Sequence, residues 1–326
     1  MIGEFELIAR YFAPLAQGQP AALGLTDDAA VLTPPAGREL VLTADAMVSG
    51  VHFLPEDDAG SVAQKLLRVN LSDLAAMGAT PLGYLLTCAW PKTIEEAWVA
   101  GFAKGLAEDQ QRFGIGVLGG DMTATPGPLT LSLTALGHVA PGRALRRSGA
   151  KAGDRIYVSG AIGDGALGLL VLTHRLHGLS REAHDALAER YHRPTPRVEL
   201  GQALSQRGLA HACLDVSDGL VADLGHIART SKLAARIRAQ AVPLSPAARE
   251  ALAESLELFP LLLTGGDDYE LCFTASPGDA PAIETLAREL GLPLTAIGEM
   301  VEGEGVRVLD RDDQAISLTR AGWTHF

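Results

Sequence analysis

Apolar residues recur along this chain at two spacings, which predict helices and strands intermixed over its whole length. An apolar residue at every third or fourth position predicts helices over residues 4–16, 61–77, 94–113, 166–176, 180–190, 220–231 and 280–290. Short apolar runs predict strands over residues 40–42, 82–90, 115–118, 129–139, 156–159, 271–274 and 294–298. Because both kinds of element occur in both halves, the predicted fold class is α/β or α+β in two units.

A polar, basic and glycine-rich stretch, residues 141–154, marks the predicted domain boundary. Segments of this composition commonly separate domains. The chain has 326 residues, which is enough for two domains of ordinary size. We therefore predict an N-terminal domain over residues 1–142 and a C-terminal α/β domain over residues 143–326.

The net charge limits which partners are expected, and the cysteines indicate the cellular compartment. The formal net charge of −12 argues against binding to nucleic acid or to an anionic membrane surface. Binding of anionic small substrates is compatible with this charge if metal ions screen the acidic residues. The three cysteines form no Cys-x-x-Cys pair, which favours buried thiols in a reducing compartment. With neither a signal peptide nor an apolar run of membrane-spanning length, we expect a cytoplasmic protein.

Six short acidic clusters, each beside glycine or a hydroxyl residue, are the main chemical signal. They are Thr26-Asp27-Asp28, Thr43-Ala44-Asp45, Asn70-Leu71-Ser72-Asp73, Gly119-Gly120-Asp121, Asp215-Val216-Ser217-Asp218-Gly219 and Gly265-Gly266-Asp267-Asp268. A single cluster of this kind is most simply a turn. Several of them follow apolar runs, where carboxylates suit hard divalent cations that in turn hold phosphates. The six together favour a metal–nucleotide site.

Other motifs for nucleotides and metals are weak or missing. The string Gly114-Ile115-Gly116-Val117-Leu118-Gly119 has the spacing of a dinucleotide fingerprint, but a helix precedes it and its middle is the predicted strand. No Walker A string and no protein-kinase motif set occur. His174 and His177 lie three residues apart on a predicted helix, and a solvated helix face explains them better than a ligand pair.

Three further features suit either a site or a structural role. His52 lies in a loop shortly after Asp45, and the residue types alone do not choose between the two roles. Arg143, Arg146 and Arg147 form either a solvated face or a phosphate clamp, since guanidinium matches phosphate with two parallel hydrogen bonds. Trp323, near the C-terminus, is more often a hydrophobic plug, with stacking on a flat aromatic substrate as the alternative.

Many carboxylates without a nucleophile–base pair favour phosphoryl transfer from ATP over acyl transfer. No Gly-x-Ser-x-Gly elbow is present. If the acceptor is itself a phosphate monoester, it is largely ionised at neutral pH, because its second pKa is about 6. Such an acceptor needs no general base, so we expect no catalytic nucleophile from the protein.

The clusters together resemble the thiamine-monophosphate kinase family, whose superfamily includes aminoimidazole ribonucleotide synthetase and selenophosphate synthetase. The resemblance covers nearly the whole chain. It rests on the segments GEF (3–5), LIAR (7–10), VNLSDLAAMG (69–78), GGD (119–121), RSGA (147–150), DVSDGL (215–220) and GGDDYEL (265–271).

The resemblance implies a two-domain aminoimidazole ribonucleotide synthetase-like fold and direct, in-line transfer of the γ-phosphate of ATP to thiamine monophosphate. It implies several Mg²⁺ ions, with metal ligands at Asp28, Thr43, Asp45, Asp73, Asp121, Asp215 and Asp218. The ATP contacts it implies are Gly120, Asp121, Arg147 and Ser217. Those on the thiamine side are His52, Glu270 and Trp323. It also implies a homodimer in which the N-terminal sheets join, with the C-terminal domain completing the substrate site.

Three residues depart from the family pattern. Thr26 replaces the glycine of a Gly-Asp-Asp segment, Ala44 replaces one of two adjacent hydroxyl residues, and Met122 replaces a threonine. Ala44 matters most, because a missing side-chain oxygen could remove a metal ligand. We expect these changes to affect the number and affinity of metal ions more than the type of reaction.

Two rival functions remain at this point. The first is an aminoimidazole ribonucleotide synthetase, but the GGDDYEL segment and Trp323 argue against it. A selenophosphate synthetase would need a reactive cysteine in a glycine-rich N-terminal segment, which this chain lacks. The second is a nucleotide-binding protein without turnover, but the retained acidic residues argue against it.

Overall fold

The computed structural model describes residues 3–318 and 321–322, and its chain divides into two compact units. The first unit contains the residues up to 74 together with 79–142. The second contains residues 75–78 and the residues from 143 onward. None of the helices in the described part of the chain is both long enough and apolar enough to span a membrane.

The first unit is built on a four-stranded sheet. Its strands are β1 (Glu39–Val48), β2 (Thr80–Pro91), β3 (Val117–Thr125) and β4 (Thr130–Val139), in the order β1-β4-β2-β3. Of the hydrogen-bonded neighbours in this sheet, only β2 and β3 pair in parallel. Its helices are α1 (Glu4–Leu7), α2 (Ala59–Ala76, whose last two residues belong to the second unit) and α3 (Glu96–Phe113). Between α1 and β1 lie a π-helical turn (Ile8–Phe12) and two 3₁₀ segments (Ala13–Ala16 and Pro20–Leu25).

Two predictions for the first unit were wrong in detail. The single helix predicted over residues 4–16 is three consecutive helical segments of α, π and 3₁₀ type, and Pro14, in the last of them, lacks the N–H that an α-helix interior requires. The short strand over residues 40–42 is part of a ten-residue strand, so Asp45 lies inside β1 rather than in a loop after it. The β3 strand likewise continues through Gly119-Gly120-Asp121.

The two faces of the four-stranded sheet differ in burial. On β4, Leu131, Leu133 and Ala135 are fully buried, and they alternate with partly exposed residues. Helix α2 covers the buried face: a Cβ added at Gly137 would lie 3.2 Å from Leu74 Cδ2. The opposite face carries exposed leucines, of which Leu42 is 62% exposed.

The second unit is built on a six-stranded mixed sheet in the order β10-β7-β9-β5-β8-β6. Its strands are β5 (Arg155–Ser159), β6 (Ala212–Val216), β7 (Ala234–Arg238), β8 (Glu270–Ala275), β9 (Leu294–Val301) and β10 (Gly305–Leu309). Its α-helices are α4 (Asp164–Leu172), α5 (Arg181–His192), α6 (Val198–Arg207), α7 (Leu220–Ser231), α8 (Pro246–Glu254), α9 (Phe259–Thr264) and α10 (Ala280–Leu290). Short 3₁₀ segments occupy Ala239–Ala241, Leu256–Leu258 and Pro277–Asp279. The mixed helix and strand content confirms the predicted fold class.

Helices cover both faces of this second sheet. Ile156 and Val158 of β5 join a buried cluster with Leu224 and Ile227 of α7. Tyr157, between them on the strand, points the other way, because side chains alternate along a strand. Tyr157 stacks on Phe273 with ring centroids 5.3 Å apart, in a cluster that includes residues of α6 and α10.

Helices α2 and α3 of the first unit cross at glycines, which generates a stability prediction. A Cβ added at Gly105 would lie 2.4 Å from the Gly60 carbonyl oxygen, whereas one added at Gly101 would lie 3.2 Å from Ala59 Cβ. Both glycines are in the same helix, so Gly→Ala gives each the same gain in helix propensity. We expect Gly105→Ala to have a lower free energy of unfolding than Gly101→Ala, by about 1–3 kcal/mol. Urea unfolding measures this difference, and equal stabilities would mean that the crossing is looser than the structure shows.

Candidate functional site

In the first unit, β1 and α2 bring several of the predicted metal ligands together. Thr43 Oγ1 donates a hydrogen bond to Asp73 Oδ2, which joins the strand to the helix. The N–H of Asp45 donates to Asn70 Oδ1 at 3.2 Å. Burial, together with the negative charge of Asp73, raises the pKa of the Asp45 carboxyl to about 6. Two carboxylates are therefore held close enough to repel each other.

Ala44 lies on the other face of the same strand. Thr43 and Asp45 are half-buried towards α2, whereas Ala44 between them is exposed. The strand register places Ala44 opposite Thr134 of β4, and Thr134 opposite Leu85 of β2. A hydroxyl at position 44 would therefore point away from Asp45 and Asp73. Ala44 is the departure from the family pattern that was expected to affect metal binding most, but it does not lie on the face that carries the two carboxylates.

The other predicted ligands of the first unit lie elsewhere. Gly120 and Asp121 are exposed on β3, at the sheet edge opposite β1, so three strand spacings, about 14 Å, separate Gly120 from Asp45. Gly120 is needed sterically, because a Cβ there would collide with the Leu86 carbonyl oxygen of β2. Asp28 is exposed in the irregular segment before β1.

His52 belongs to a tight turn after β1. Its Nδ1 accepts a hydrogen bond from the Val48 N–H at 3.1 Å, and its carbonyl oxygen accepts one from Lys65 Nζ at 3.2 Å. Gly50 allows the turn with a φ of +80°. These contacts give His52 a structural role in the turn, and its predicted contact with thiamine stays a prediction.

In the second unit, three loops meet at one end of the strands of the six-stranded sheet. Strand β5 ends there at Ser159, β6 ends there at Val216, and β8 begins there at Glu270. Ser217 accepts a backbone hydrogen bond from Asp267 at 2.9 Å, and Val216 accepts one from Tyr269 at 2.8 Å. The Asp215–Gly219 and Gly265–Glu270 segments, which are far apart in sequence, are therefore joined backbone to backbone.

Asp268 has a structural role at this end of the strands. It is buried, and its two carboxylate oxygens accept hydrogen bonds from the N–H groups of Gly163 (2.8 Å) and Gly165 (3.1 Å) at the start of α4. Asp267 and Tyr269 on either side have φ values of +70° and +51°. A left-handed conformation is costly for a tyrosine, so the surrounding hydrogen bonds must hold it. For Asp268 the simple structural interpretation of an acidic turn is the right one.

Glu270 is fully buried between two arginines. Its carboxylate accepts from Ser159 Oγ (2.6 Å), Arg190 Nη2 (3.0 Å) and Arg197 Nε (2.6 Å). A Cβ at Gly160 would collide with it. Glu270 therefore orients Arg190 and Arg197, and its predicted contact with thiamine remains untested.

The loop after β6 carries three predicted site residues. Asp215 is buried at the end of the strand, while Ser217 and Asp218 are half-buried. Arg147 is exposed, and its backbone carbonyl is held by Thr230 Oγ1 of α7 at 2.9 Å. The positive charge of the Arg147 guanidinium lowers the pKa of both Asp223 and His226, so the guanidinium lies beside this loop. Ser217, Asp218 and Arg147 are thus brought into one region of the second unit.

The sequence did not identify Asp223, whose carboxylate holds the backbone of this loop by hydrogen bonds. One of its oxygens accepts hydrogen bonds from the N–H groups of residues 217, 218 and 219. Burial raises the pKa of its carboxyl to about 7, against the lowering effect of these bonds. An acidic residue in the first turn of a helix that follows a glycine was the available signal.

Trp323 lies outside the described residues. Gly322, directly before it, is described, and it packs against the same loop. A Cβ at Gly322 would lie 2.7 Å from the Asp218 carbonyl oxygen and 2.4 Å from Ala222 Cβ. The chain therefore reaches the Asp218 loop one residue before the predicted aromatic contact.

The donor chemistry of each unit suits a hard cation. Every predicted ligand is a carboxylate or a hydroxyl, which are the donors that Mg²⁺ prefers. Among the side chains of residues 3–318 and 321–322, no three His, Cys, Asp or Glu groups gather as a ready-made metal site. Each unit instead supplies acidic residues in ones and twos, and phosphate oxygens of a bound nucleotide can complete such a shell.

Comparisons with known proteins agree with this architecture. Residues 26–139 match the family "AIR synthase related protein, N-terminal domain", and residues 151–311 match "AIR synthase related protein, C-terminal domain". These matches and the fold define the class of protein as AIR synthase related.

The relatives are more specific. A thiamine-monophosphate kinase from Caulobacter vibrioides is 47% identical, over 99% of this chain and 90% of that protein. The crystal structure of a thiamine-monophosphate kinase from Stenotrophomonas maltophilia has a TM-score of 0.86 and 45% identity, over 97% of this chain and 98% of that one. The structure of AaThiL complexed with AMPPCP and TMP has a TM-score of 0.78 and 30% identity, over 99% and 97%. The chain belongs to the thiamine-monophosphate kinase family, which confirms the resemblance seen in the sequence.

The repulsion between Asp45 and Asp73 generates a prediction that separates stability from metal binding. The raised pKa of Asp45 means that folding disfavours its ionised form, which is the form present at pH 7. Asp45→Asn removes this charge, so we expect the melting temperature in EDTA to rise by about 2–4 °C. Mg²⁺ with ATP should stabilise the wild type by mass action, and the variant should lose most of that increase. Thermal unfolding with and without Mg²⁺ and ATP measures both effects.

Ala44→Ser is the matched control on the same strand. Because position 44 faces away from the carboxylates, its melting temperature should respond to Mg²⁺ and ATP as the wild type does. A changed response in Ala44→Ser, or an unchanged one in Asp45→Asn, would mean that the cation does not bind on the α2 side of β1.

Proposed function

We propose that this protein transfers the γ-phosphate of ATP to thiamine monophosphate, giving thiamine diphosphate and ADP. The observation that carries the proposal is the similarity over nearly the whole chain to thiamine-monophosphate kinases, at 47% identity over 99% of this chain. Asp45 and Asp73, brought together where β1 meets α2, suit a divalent cation. The family relationship adds a structure, at 30% identity, that is complexed with AMPPCP, a non-hydrolysable ATP analogue, and TMP.

The transfer balances without a protein nucleophile or base. An oxygen of the acceptor phosphate forms a bond to the γ-phosphorus, the bond from that phosphorus to the β–γ bridging oxygen breaks, and ADP leaves. The acceptor is already largely ionised at neutral pH, with a second pKa of about 6, so no proton need be removed from it. Catalysis then depends on position and on charge neutralisation.

We assign several Mg²⁺ ions to the carboxylates and the one hydroxyl that the family resemblance implies. The proposed ligands are Asp28, Thr43, Asp45, Asp73, Asp121, Asp215 and Asp218. Bound Mg²⁺ would neutralise the negative charge of the two phosphate groups that must approach each other. The aspartates provide charge at fixed places, and the Thr43–Asp73 hydrogen bond keeps the strand and helix ligands aligned.

The two substrates would use different residues. We assign Gly120, Asp121, Arg147 and Ser217 to ATP. Arg147 is suited to a phosphate because its guanidinium is exposed while its backbone is anchored to α7. We assign His52, Glu270 and Trp323 to thiamine monophosphate, with Glu270 acting through the two arginines it orients.

We also propose a homodimer in the cytoplasm. The exposed face of the four-stranded sheet carries Leu40, Leu42 and Leu85, which a second copy of the sheet would cover. The three cysteines are buried as free thiols, in line with a reducing compartment.

Direct detection of the product tests the reaction. Purified protein would be mixed with ATP, Mg²⁺ and thiamine monophosphate, and the thiamine species separated by chromatography. We expect thiamine diphosphate and ADP in equal amounts, and neither product in EDTA. Thiamine serves as a parallel acceptor, and its hydroxyl should not be phosphorylated because the site provides no base for it. ATP binding without any product would point to a binding protein without turnover, and the ring-closing synthetase substrate would then be tried first.

Arg147→Ala tests the proposed phosphate contact. Loss of a hydrogen-bonded charge is worth about 1.5–3 kcal/mol, so the KM for ATP should rise about 10- to 100-fold. The KM for thiamine monophosphate should change much less. Steady-state kinetics with each substrate varied in turn measures this difference.

Arg146→Ala is the matched control for that variant. Arg146 is the exposed neighbour of Arg147, and its backbone carbonyl accepts from the Cys213 N–H at 2.8 Å, so both residues are held in the same segment. Equal effects of the two substitutions would show a general loss of positive charge rather than a specific phosphate contact.

A further inference from the structure

Asp223 occupies an unusual place at the start of α7. The first N–H groups of a helix lack partners within the helix, and the residue before the helix usually supplies one through its side chain. Here that residue is Gly219, which has no side chain. Asp223, only 4% exposed, reaches back past the start of the helix to the N–H groups of the residues that precede it. Its Oδ2 accepts from three consecutive N–H groups, at 3.0 Å from Ser217, 2.9 Å from Asp218 and 3.1 Å from Gly219.

These three N–H groups converge on one point and would form a concave anion-binding site if Asp223 were missing. The nearest mobile anions would be the carboxylate of Asp218 and a phosphate of the nucleotide. Either of them could enter the site and draw the loop into another shape. While the Asp223 carboxylate fills the site, neither of these anions can enter it.

The loop is restrained on its other side as well. The carbonyl groups of Val216 and Ser217 accept from the Gly265–Glu270 segment, and a Cβ at Gly219 would collide with the backbone of Thr264. These restraints hold the carbonyl side, and among the described residues Asp223 alone accepts from the N–H side of residues 217–219. The direction of the Asp218 side chain therefore depends on both.

We propose that Asp223 is a positioning residue, which holds the Asp215–Gly219 loop in the shape that lets Asp218 bind the cation–nucleotide complex. Asp223 acts through the loop backbone and does not itself touch a ligand. This inference rests on the proposed function, because it takes Asp218 and Ser217 as residues of the ATP site.

Two substitutions at Asp223 separate its hydrogen bonds from its charge. Asp223→Asn keeps an oxygen that can accept the same three bonds but removes the negative charge, whereas Asp223→Ala removes the acceptor. The primary measurement is the Mg²⁺ concentration that gives half-maximal binding of a non-hydrolysable ATP analogue, followed by calorimetry. We expect this concentration to rise about tenfold or more in Asp223→Ala and clearly less in Asp223→Asn. The KM for thiamine monophosphate should stay within about twofold in the Asn variant.

Hydrogen exchange at the backbone amides of residues 217–219 provides a readout without nucleotide or metal. Exchange should be faster in Asp223→Ala than in the wild type, with Asp223→Asn between them. A loop that kept its wild-type protection in the Ala variant would overturn the proposal even if activity fell.

Asp154→Ala is the matched control. Asp154 is 3% exposed and, like Asp223, accepts a backbone N–H, that of Lys151 at 2.8 Å. It also contacts His211 Nδ1 at 2.9 Å. It lies just before β5, at the end of that strand opposite to Ser159. We expect Asp154→Ala to lower the melting temperature without changing the Mg²⁺ requirement. The same shift in both variants would mean that any buried carboxylate of this unit has the effect, and the proposal would fail.

The outcomes distinguish this inference from the proposed function. If the wild type does not bind the ATP analogue in the presence of Mg²⁺, the proposed function itself is wrong. If the wild type binds it and both Asp223 variants have the wild-type Mg²⁺ requirement, only the positioning role is wrong. Should Asp223→Ala not fold, hydrogen exchange in Asp223→Asn decides: faster exchange at residues 217–219 than in the wild type supports the role, and wild-type protection overturns it.

Discussion

The chemistry of this protein depends on carboxylates that are held near one another and partly out of water. Asp45 and Asp73 of the first unit repel, and burial raises the pKa of Asp45 to about 6. Asp218 and Asp223 of the second unit repel in the same way. Such arrangements are unfavourable in the protein alone and become favourable when a cation is bound. The surrounding structure must therefore hold them, and most of the hydrogen bonds described here do so.

The two units hold their carboxylates by different means. In the first, a long strand and a long helix carry the carboxylates, and a side-chain hydrogen bond from Thr43 to Asp73 joins the two elements. In the second, loops at one end of the strands need partners for their N–H groups. Asp223 accepts from the loop that leads into α7, and Asp268 accepts from the start of α4. In both cases glycines permit the close approach of backbone to backbone.

This second arrangement explains why acidic residues of similar appearance have different roles. Asp267-Asp268 and Asp215–Asp218 both look like metal-binding motifs in the sequence. In the structure both oxygens of Asp268 are used by the protein backbone, whereas Asp218 is half-buried at the head of a loop that another aspartate supports. The difference lies in which N–H groups are nearby: those that Asp268 holds come from residues about a hundred positions away in the chain, whereas those of residues 217–219 are held by the neighbouring Asp223.

Hydrophobic periodicity and contiguous motifs are local properties, so the fold class, the family and most of the regular elements could be predicted from the amino-acid sequence. The single helix predicted over residues 4–16 overlooked Pro14, which is also a local signal. The other error arose where residues distant in sequence decide the outcome, because pairing with β4 extends β1 past Asp45 and places Ala44 on the face away from the carboxylates. Which acidic carboxylates are used by the protein's own backbone and which are not depends on strand register, on helix packing and on which backbone groups lack partners, and these appear only in the folded chain. Asp223 escaped notice in the sequence because its function is to satisfy N–H groups that exist only once the loop has folded.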